Sequence, residues 1–314
     1  MVCKLLKRDP AIDILKGILI VLVVYGHTSL EKPFNYFWFR MPAFFMISGY
    51  FIKPDIEFSS QYLKKIIRRY VTPYFCWCII MYIIFWPEHP LKNIIRIIYG
   101  GHNNITLYSY PYWFINTLFI SDLLFVSILT ISKKINQVCS IILVPLFVFG
   151  LYTIAHFFLP IKDFPPLPWG VDNACCAIMY LYIGHILKQF KKWNTILCII
   201  PFIFIYICYF HHYNYQLNIA DIHLEHYFLD IIIPLSFTIL LLNIANYFVK
   251  VPIINQLFSK IGECTLTIFF THAAVLNLCN GWIGIILSIL IGYILHQLLK
   301  QNNITKKLFL GKYK

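Results

Sequence analysis

Apolar runs of membrane-crossing length recur along the whole chain, and short polar segments between them collect most of the charge. Ten such runs stand at about 12–30, 36–52, 70–86, 111–131, 138–159, 173–188, 195–210, 226–248, 263–279 and 282–299. A helix rising 1.5 Å per residue needs roughly 20 apolar residues to cross the hydrocarbon core. Only helices or closed barrels satisfy the backbone there. The pattern predicts an all-α, polytopic transmembrane bundle of about ten spans, with residues 1–314 forming a single membrane domain. The first run is already long enough to be a span, so no separate cleavable signal is expected.

Composition agrees. Of 314 residues, 60% are hydrophobic and 12% charged, with a mean hydropathy of +0.71. A soluble domain of this length could not hide that much apolar surface. The net charge of +13 could suggest nucleic acid, but its distribution argues for orientation. With the N-terminus inside, the inner segments hold twenty cations: Lys4, Lys7, Arg8, Lys53, Lys64, Lys65, Arg68, Arg69, Lys133, Lys134, Lys188, Lys191, Lys192, Lys250, Lys260, Lys300, Lys306, Lys307, Lys312 and Lys314. The outer segments hold four: Lys32, Lys92, Arg96 and Lys162. This bias places both termini in the cytoplasm, with lipid rather than nucleic acid as the surroundings, and a plasma (inner) membrane is the expected location. Of the ten cysteines, eight sit in apolar runs, and Cys3 and Cys139 fall on the inner side. Neither Cys76-x-Cys78 nor Cys175–Cys176 has zinc-site spacing, so they read as small packing residues and no metal is expected.

The segments between the runs differ in character. The inner loop at 53–69 ends in "YLKKIIRRYVTPY", a basic helix running into the third span. Two longer outer loops, 87–110 and 211–225, are rich in His, Tyr and Asn, and the second has no Lys or Arg. Rings and amides of this kind suit polyhydroxylated ligands, and Tyr and Trp at membrane edges also form an interfacial belt. His223-x-x-His226 would put two possible metal ligands on one helical face. No internal repeat is evident, which weakens a transporter reading.

The first run carries two ionisable residues that a plain anchor does not need. In "KGILIVLVVYGH", Lys16 and His27 are eleven residues apart. On a helix that spacing returns to within about 20° and displaces the second residue by roughly 16 Å. Both therefore share one face, Lys16 toward the inside and His27 toward the outside. Lys16 could instead snorkel or pair with Asp13, and His27 could be an interfacial histidine whose neighbour Gly26 lets another helix approach. As a pair they suit group transfer. An imidazole near the outer side can take a proton from an attacking hydroxyl, and a cation nearer the cytoplasm can hold a phosphate-bearing donor. The separation resembles the reach of an extended pantetheine arm.

The segments "IDILKGILIVLVVYGH" and "FRMPAFFMISGYFIK" resemble the opening of the acyltransferase-3 family of integral membrane O-acyltransferases, and among these the fucose 4-O-acetylase-like branch. That family shows Arg or Lys, ten residues, then His in its first span, matched by Lys16 and His27. Met41, Pro42, Phe44, Phe45, Ser48, Gly49 and Tyr50 match its second span, although Arg40 stands where histidine is commoner. "KKIIRRYVTPY" resembles its basic cluster, with Arg68 or Arg69 as the second cation. "PYWFINTLF" is similar to its Trp-Phe-Leu segment through Trp113 and Phe114. "IGECTLTIFFTH" resembles its late Gly-x-x-Ser/Thr-Leu…His pattern through Gly262, Thr265, Leu266 and His272.

The resemblance implies transfer of an acyl group, usually acetyl, from cytoplasmic acyl-CoA to a sugar hydroxyl of a surface or secreted glycan. Acyl-CoA would be a co-substrate, and no bound cofactor is expected. His27 would be the base or would help activate the acceptor, while Lys16, Lys65, Arg68 and Arg69 would contact the donor. Arg40, Trp113 and His272 would shape the acceptor side, although His272 could equally be a helix–helix hydrogen-bonding group. A histidine base gains from an orienting carboxylate. The candidates are Asp122, placed here with His27 as catalytic, then Glu263, Asp172 and Asp230. The competing classes are a transporter of a lipid-linked sugar or acyl donor, and a pH sensor built on His27.

Overall fold

The computed structural model describes residues 9–32, 37–101, 109–136, 140–160, 166–188 and 195–313. Several residues named above lie outside these: Cys3, Lys4, Lys7, Arg8, Cys139, Lys162, Lys191, Lys192 and Lys314. Helix α1 (Pro10–Gly26) starts where the sequence supplies a cap. The Asp9 side chain accepts from the Ala11 backbone N–H at 3.0 Å, and Pro10 sits in the first turn, where its missing N–H costs nothing. The helix stops at Gly26, short of the apolar run's end, and His27 is its C-terminal cap residue.

Helix α2 (Phe37–Tyr50) carries Pro42 in its interior. Helix α3 (Ser60–Ile66), capped by the Ser59 hydroxyl, runs through a π-helical turn at Ile67–Val71 into α4 (Thr72–Ile84). The basic segment and the third run are thus one continuous helical stretch. Then come α5 (Pro90–Tyr99), α6 (Trp113–Ile135), α7 (Ser140–Phe157), α8 (Val171–Leu187) and α9 (Ile200–Phe210). A two-stranded antiparallel ribbon, β1 (Leu217–Asn218) and β2 (His223–Leu224), precedes α10 (Leu229–Phe248). The chain continues with α11 (Pro252–Glu263), α12 (Thr265–Leu278), α13 (Gly281–Gln301) and α14 (Asn303–Leu310). His223 and His226 therefore lie on a strand and in the following turn, not on one helical face, and the His226 ring hydrogen-bonds the Tyr213 hydroxyl.

Among the described residues, five helical segments are long and apolar enough to cross a membrane: Tyr110–Ile135, Ser140–Phe157, Pro168–Leu187, Leu229–Phe248 and Gly281–Gln301. The pair α11–α12, bent by 76°, makes a sixth if it counts as one broken span. The other expected spans correspond to shorter helices: α1, α2, α4 and α9. Apolar side chains such as Ile83, Ile141, Phe202 and Ile286 point outward, as lipid-facing positions must.

Two crossings without intervening side chains set the centre of the bundle. A Cβ on Gly17 would meet the Phe258 carbonyl oxygen at 2.3 Å, and one on Gly262 would meet that of Asp13 at 1.9 Å. Helices α1 and α11 thus touch backbone to backbone. The same reciprocal contact joins α2 to α8, where Cβ atoms on Gly49 and Gly184 would each lie 1.8 Å from the facing carbonyl oxygens of Leu181 and Met46. Small residues permit such approach in a bilayer, where helix association depends on close packing. The eight described cysteines are unbridged.

Candidate active site

His27 lies at the end of α1 opposite Lys16, and the two open onto different cavities. The His27 cavity, about 110 Å³, is lined by Arg40, Tyr110, Trp113 and Phe269, and closed by Asn218 and Ala220 of the ribbon loop. The His27 ring lies 5.1 Å from that of Tyr110, edge to face, and 5.3 Å from that of His272. His272 is fully buried. Its Nδ1 faces the carbonyls of Ile268 at 3.1 Å and Phe269 at 2.8 Å, so that nitrogen carries the proton. Its Nε2 is then a buried lone pair with no hydrogen-bond partner among the described residues.

Arg40, 1% exposed, donates from Nη1 to the carbonyls of Leu22 at 3.1 Å and Val23 at 3.2 Å. Gly26 makes room for it, since a Cβ there would sit 1.6 Å from Nη1. The guanidinium thereby caps α1 beside His27, which favours a cation at the helix C-terminus. The ribbon loop over the cavity is pinned from three sides. Asn173 donates to the carbonyls of Ile219 and Ala220 at 2.6 and 2.9 Å, Trp38 Nε1 to that of Tyr215 at 2.8 Å, and Tyr215 to Asp230 Oδ1 at 2.5 Å.

The second cavity, about 380 Å³, lies at the Lys16 end. Three cations line it from three distant parts of the chain: Lys16, Arg69 and Lys312. Lys16 Nζ stands 3.6 Å from Asp13 and 4.9 Å from the centre of the Phe51 ring. Glu263 is the one carboxylate in the lining, and it pairs with Lys300 at 3.2 Å. Phe114 and Phe269 form part of the apolar wall. Phe269 also lines the His27 cavity, so its ring belongs to the walls of both spaces.

The structure sorts the expected residues. Lys16 and Arg69 line the Lys16-end cavity, while His27, Arg40 and Trp113 line the other, with the His272 ring tilted against that of His27. Of the two adjacent arginines, Arg69 faces the cavity and Arg68 stacks over the Tyr313 ring at 5.1 Å. Lys65 is exposed and lines neither space.

Asp122 is not brought to His27. It accepts a hydrogen bond from Tyr62, and Tyr70, Arg69 and Lys65 surround it electrostatically. The reason is helical phase: α3 and the π turn pack against α6 at this level, and their polar groups absorb the carboxylate. The other carboxylates are engaged elsewhere. Asp172 accepts from the backbone of Asn173 and Leu167, Asp230 holds the ribbon loop, and Glu263 pairs with Lys300.

Sequence reasoning missed Lys312, counted only as an orientation charge, although it follows the basic amphipathic α14. It also missed Asn218 and Ala220 as the roof of the cavity, and Tyr110 as a wall of it.

These features define a helical, membrane-type bundle with a histidine-lined cavity beside a cationic one. Residues 9–305 match the family model described as an acyltransferase domain. The chain belongs to this acyltransferase-3 family. No curated protein and no solved structure gives a significant match.

Proposed function

We propose that this protein is a membrane O-acyltransferase that moves an acyl group, typically acetyl, from cytoplasmic acyl-CoA to a sugar hydroxyl of a surface or secreted glycan. One observation carries the reading: a cavity lined by three cations and a cavity lined by His27 share Phe269 as a wall, and Lys16 of α1 and His27 at its C-cap line one each. A CoA donor brings phosphates at one end and a thioester at the other, with an uncharged arm between them. The Lys16 end suits the phosphates, and Lys16, Arg69 and Lys312 hold them by charge-assisted hydrogen bonds. The arm passes Phe269 and sets the thioester carbonyl beside His27.

In the transfer, the acceptor oxygen attacks the thioester carbonyl carbon and gives its proton to His27. A C–O bond forms, the C–S bond breaks, and the departing thiolate recovers the proton from His27 as CoA thiol. His272 takes the orienting role: its unpartnered Nε2 belongs to a ring 5.3 Å from that of His27, and a small rotation lets it accept the N–H of His27 and orient that ring as base. Arg40 and Tyr110 supply donors for the developing oxyanion. With this assignment the Lys16 end faces the cytoplasm, in line with the inner excess of Lys and Arg.

The test is the O-acyl content of the host's surface glycans, measured by NMR before and after mild base. Strains would carry a gene deletion complemented by wild type or His27→Ala at equal protein level. Acylation should return with wild type and not with His27→Ala. Full restoration by His27→Ala removes His27 from the chemistry, and a deletion that changes no acylation points to transport.

A further inference from the structure

A third cavity lies at the His27 end, outside the residues just described. It occupies about 520 Å³ between the end of α4 and the helix α5. The first turn of α4 already meets the His27 side, where the Tyr74 ring lies 6.4 Å from that of Tyr112, next to Tyr110 and Pro111 of the His27 cavity. One wall is aromatic, formed by Tyr82, Phe85 and Trp86. Glu88, His89, Asn93 and Arg96 supply polar groups opposite.

The polarity of α5 is inverted relative to a helix lying in water. Leu91, Ile94, Ile95 and Ile98 point outward, while Asn93 and Arg96 turn into the cavity. A stripe at i, i+3, i+4 and i+7 that faces outward belongs against lipid. Helix α5 therefore acts as a wall, apolar toward the bilayer and polar toward a half-open cavity. It is held in place at its far end. Tyr74 donates to the Ile97 carbonyl at 2.8 Å, Trp169 Nε1 to that of Ile98 at 3.0 Å, and the Tyr99 hydroxyl to that of Pro166 at 2.7 Å.

Charge decides the class of ligand. The donor cavity presents three cations against one carboxylate that is already paired, and so suits a polyanion. The α5 cavity sets one guanidinium against one carboxylate, with an amide and an imidazole beside them. That mixture offers donors and acceptors without net charge, and the aromatic wall offers flat apolar faces. A neutral polyhydroxylated ring needs both: hydroxyls for the polar wall and C–H faces for the rings.

We propose that the cavity between α4 and α5 is a saccharide-binding site, separate from the transfer pocket, that holds a neighbouring sugar unit of the acceptor. The inference rests on the reading that the His27 end meets a glycan. Trp86 and Tyr82 stack on the sugar, and Arg96, Asn93, Glu88 and His89 bond its hydroxyls.

The test is saturation-transfer NMR on the full-length protein in nanodiscs without acyl-CoA. The probes are methyl α-L-fucoside, methyl β-D-galactoside and the methyl glycoside of N-acetylglucosamine. At least one glycoside should receive saturation from the wild type. Trp86→Ala and Arg96→Gln should each cut that signal fivefold or more, while Trp86→Phe retains it. Trp86 is 70% exposed, so its truncation leaves no core cavity; unchanged thermal unfolding of each variant checks the fold. The proposal is overturned if no glycoside binds, or if binding survives both Trp86→Ala and Arg96→Gln. Displacement of the bound glycoside by inorganic pyrophosphate also overturns it, because the site would then be one for a phosphate headgroup. No donor is present, so a failure of acyl transfer leaves these readings untouched. A protein that transfers acyl groups without Trp86-dependent binding refutes this site alone.

Discussion

Removing the charge of Lys16 separates a donor-binding role from a structural one, because the residue has a visible competitor in Asp13. The perturbation is Lys16→Gln, with Lys16→Gln/Asp13→Asn as its control. The Lys16 side chain is 27% exposed and that of Asp13 9%, so the pair is screened only in part. A phosphate oxygen about 4 Å from Nζ would gain roughly 1 kcal/mol at the dielectric of water and roughly 4 kcal/mol at an effective value near 20. Asp13 at 3.6 Å already takes part of that field. A loss of about 1–3 kcal/mol is therefore expected, or roughly 5- to 150-fold in donor affinity. The assay is acetyl transfer by purified protein in nanodiscs with acetyl-CoA varied. KM for acetyl-CoA should rise by that factor while kcat at saturating donor changes less than about threefold, the pattern of lost uniform binding. The double variant should recover part of the loss in protein yield, because it no longer leaves Asp13 facing Gln, but none of the loss in KM. A KM within twofold of wild type in a folded Lys16→Gln protein would show that Lys16 serves Asp13 and not the donor.

Four further outcomes are expected. His272→Gln keeps a polar group but moves the acceptor atom, so kcat should fall about 10- to 100-fold with KM for acetyl-CoA unchanged, whereas His27→Ala should cost about 10²- to 10⁴-fold; a His272 variant with wild-type kcat removes it from the relay. Asp122→Asn should alter donor KM or stability through Tyr62 and Arg69 and leave the pH profile of kcat in place; a shifted profile would return Asp122 to the histidine. Gly184→Ala should lower the unfolding temperature sharply, because its Cβ would lie 1.8 Å from a backbone oxygen that cannot move alone, while Gly150→Ala, with nothing within 4 Å, should be neutral or slightly stabilising. Lys312→Gln should raise KM for acetyl-CoA like Lys16→Gln, and both effects should shrink at high salt.

The parts of this protein that were legible in its sequence are those written in local spacing. Eleven residues along α1 and its cap put Lys16 and His27 at opposite ends of that helix, and each lines a cavity. The helical class and the positions of the apolar helices were equally open, since period and length alone define them. The number of crossings was not, because α1, α2, α4 and α9 are shorter than the apolar runs that contain them. Gly26, Pro42 and the π turn before α4 redistribute residues in ways hydropathy does not record. Asp122 was misplaced for a related reason. Its depth in α6 could be counted, but its direction around the helix axis depends on α3 and the π turn, which bring Tyr62 and Tyr70 to it. Lys312 and Asn218 reach the two cavities from segments far away in the chain, and no local pattern carries that information.

Two glycines of α1 hold the Lys16 and His27 ends of that helix against its neighbours. The rise along α1 fixes the distance from Lys16 to His27 at roughly 16 Å, whatever the surrounding helices do. Fixing the distance is not enough, because α1 must also keep its rotation and depth. The backbone contact of Gly17 and Gly262 locks α1 to α11 beside Lys16, and Arg40 against Gly26 locks it to α2 beside His27. Both constraints act at the ends of the Lys16–His27 interval, where an error in tilt would displace those side chains most. Helix α11 then turns by 76° into α12, which carries Phe269 and His272. The same glycine contact that positions Lys16 thus sets the origin of the helix bearing the shared ring and the second imidazole. A bulky residue at Gly262 should therefore damage catalysis at His27, some three helical turns away along α1, without touching any group in that cavity.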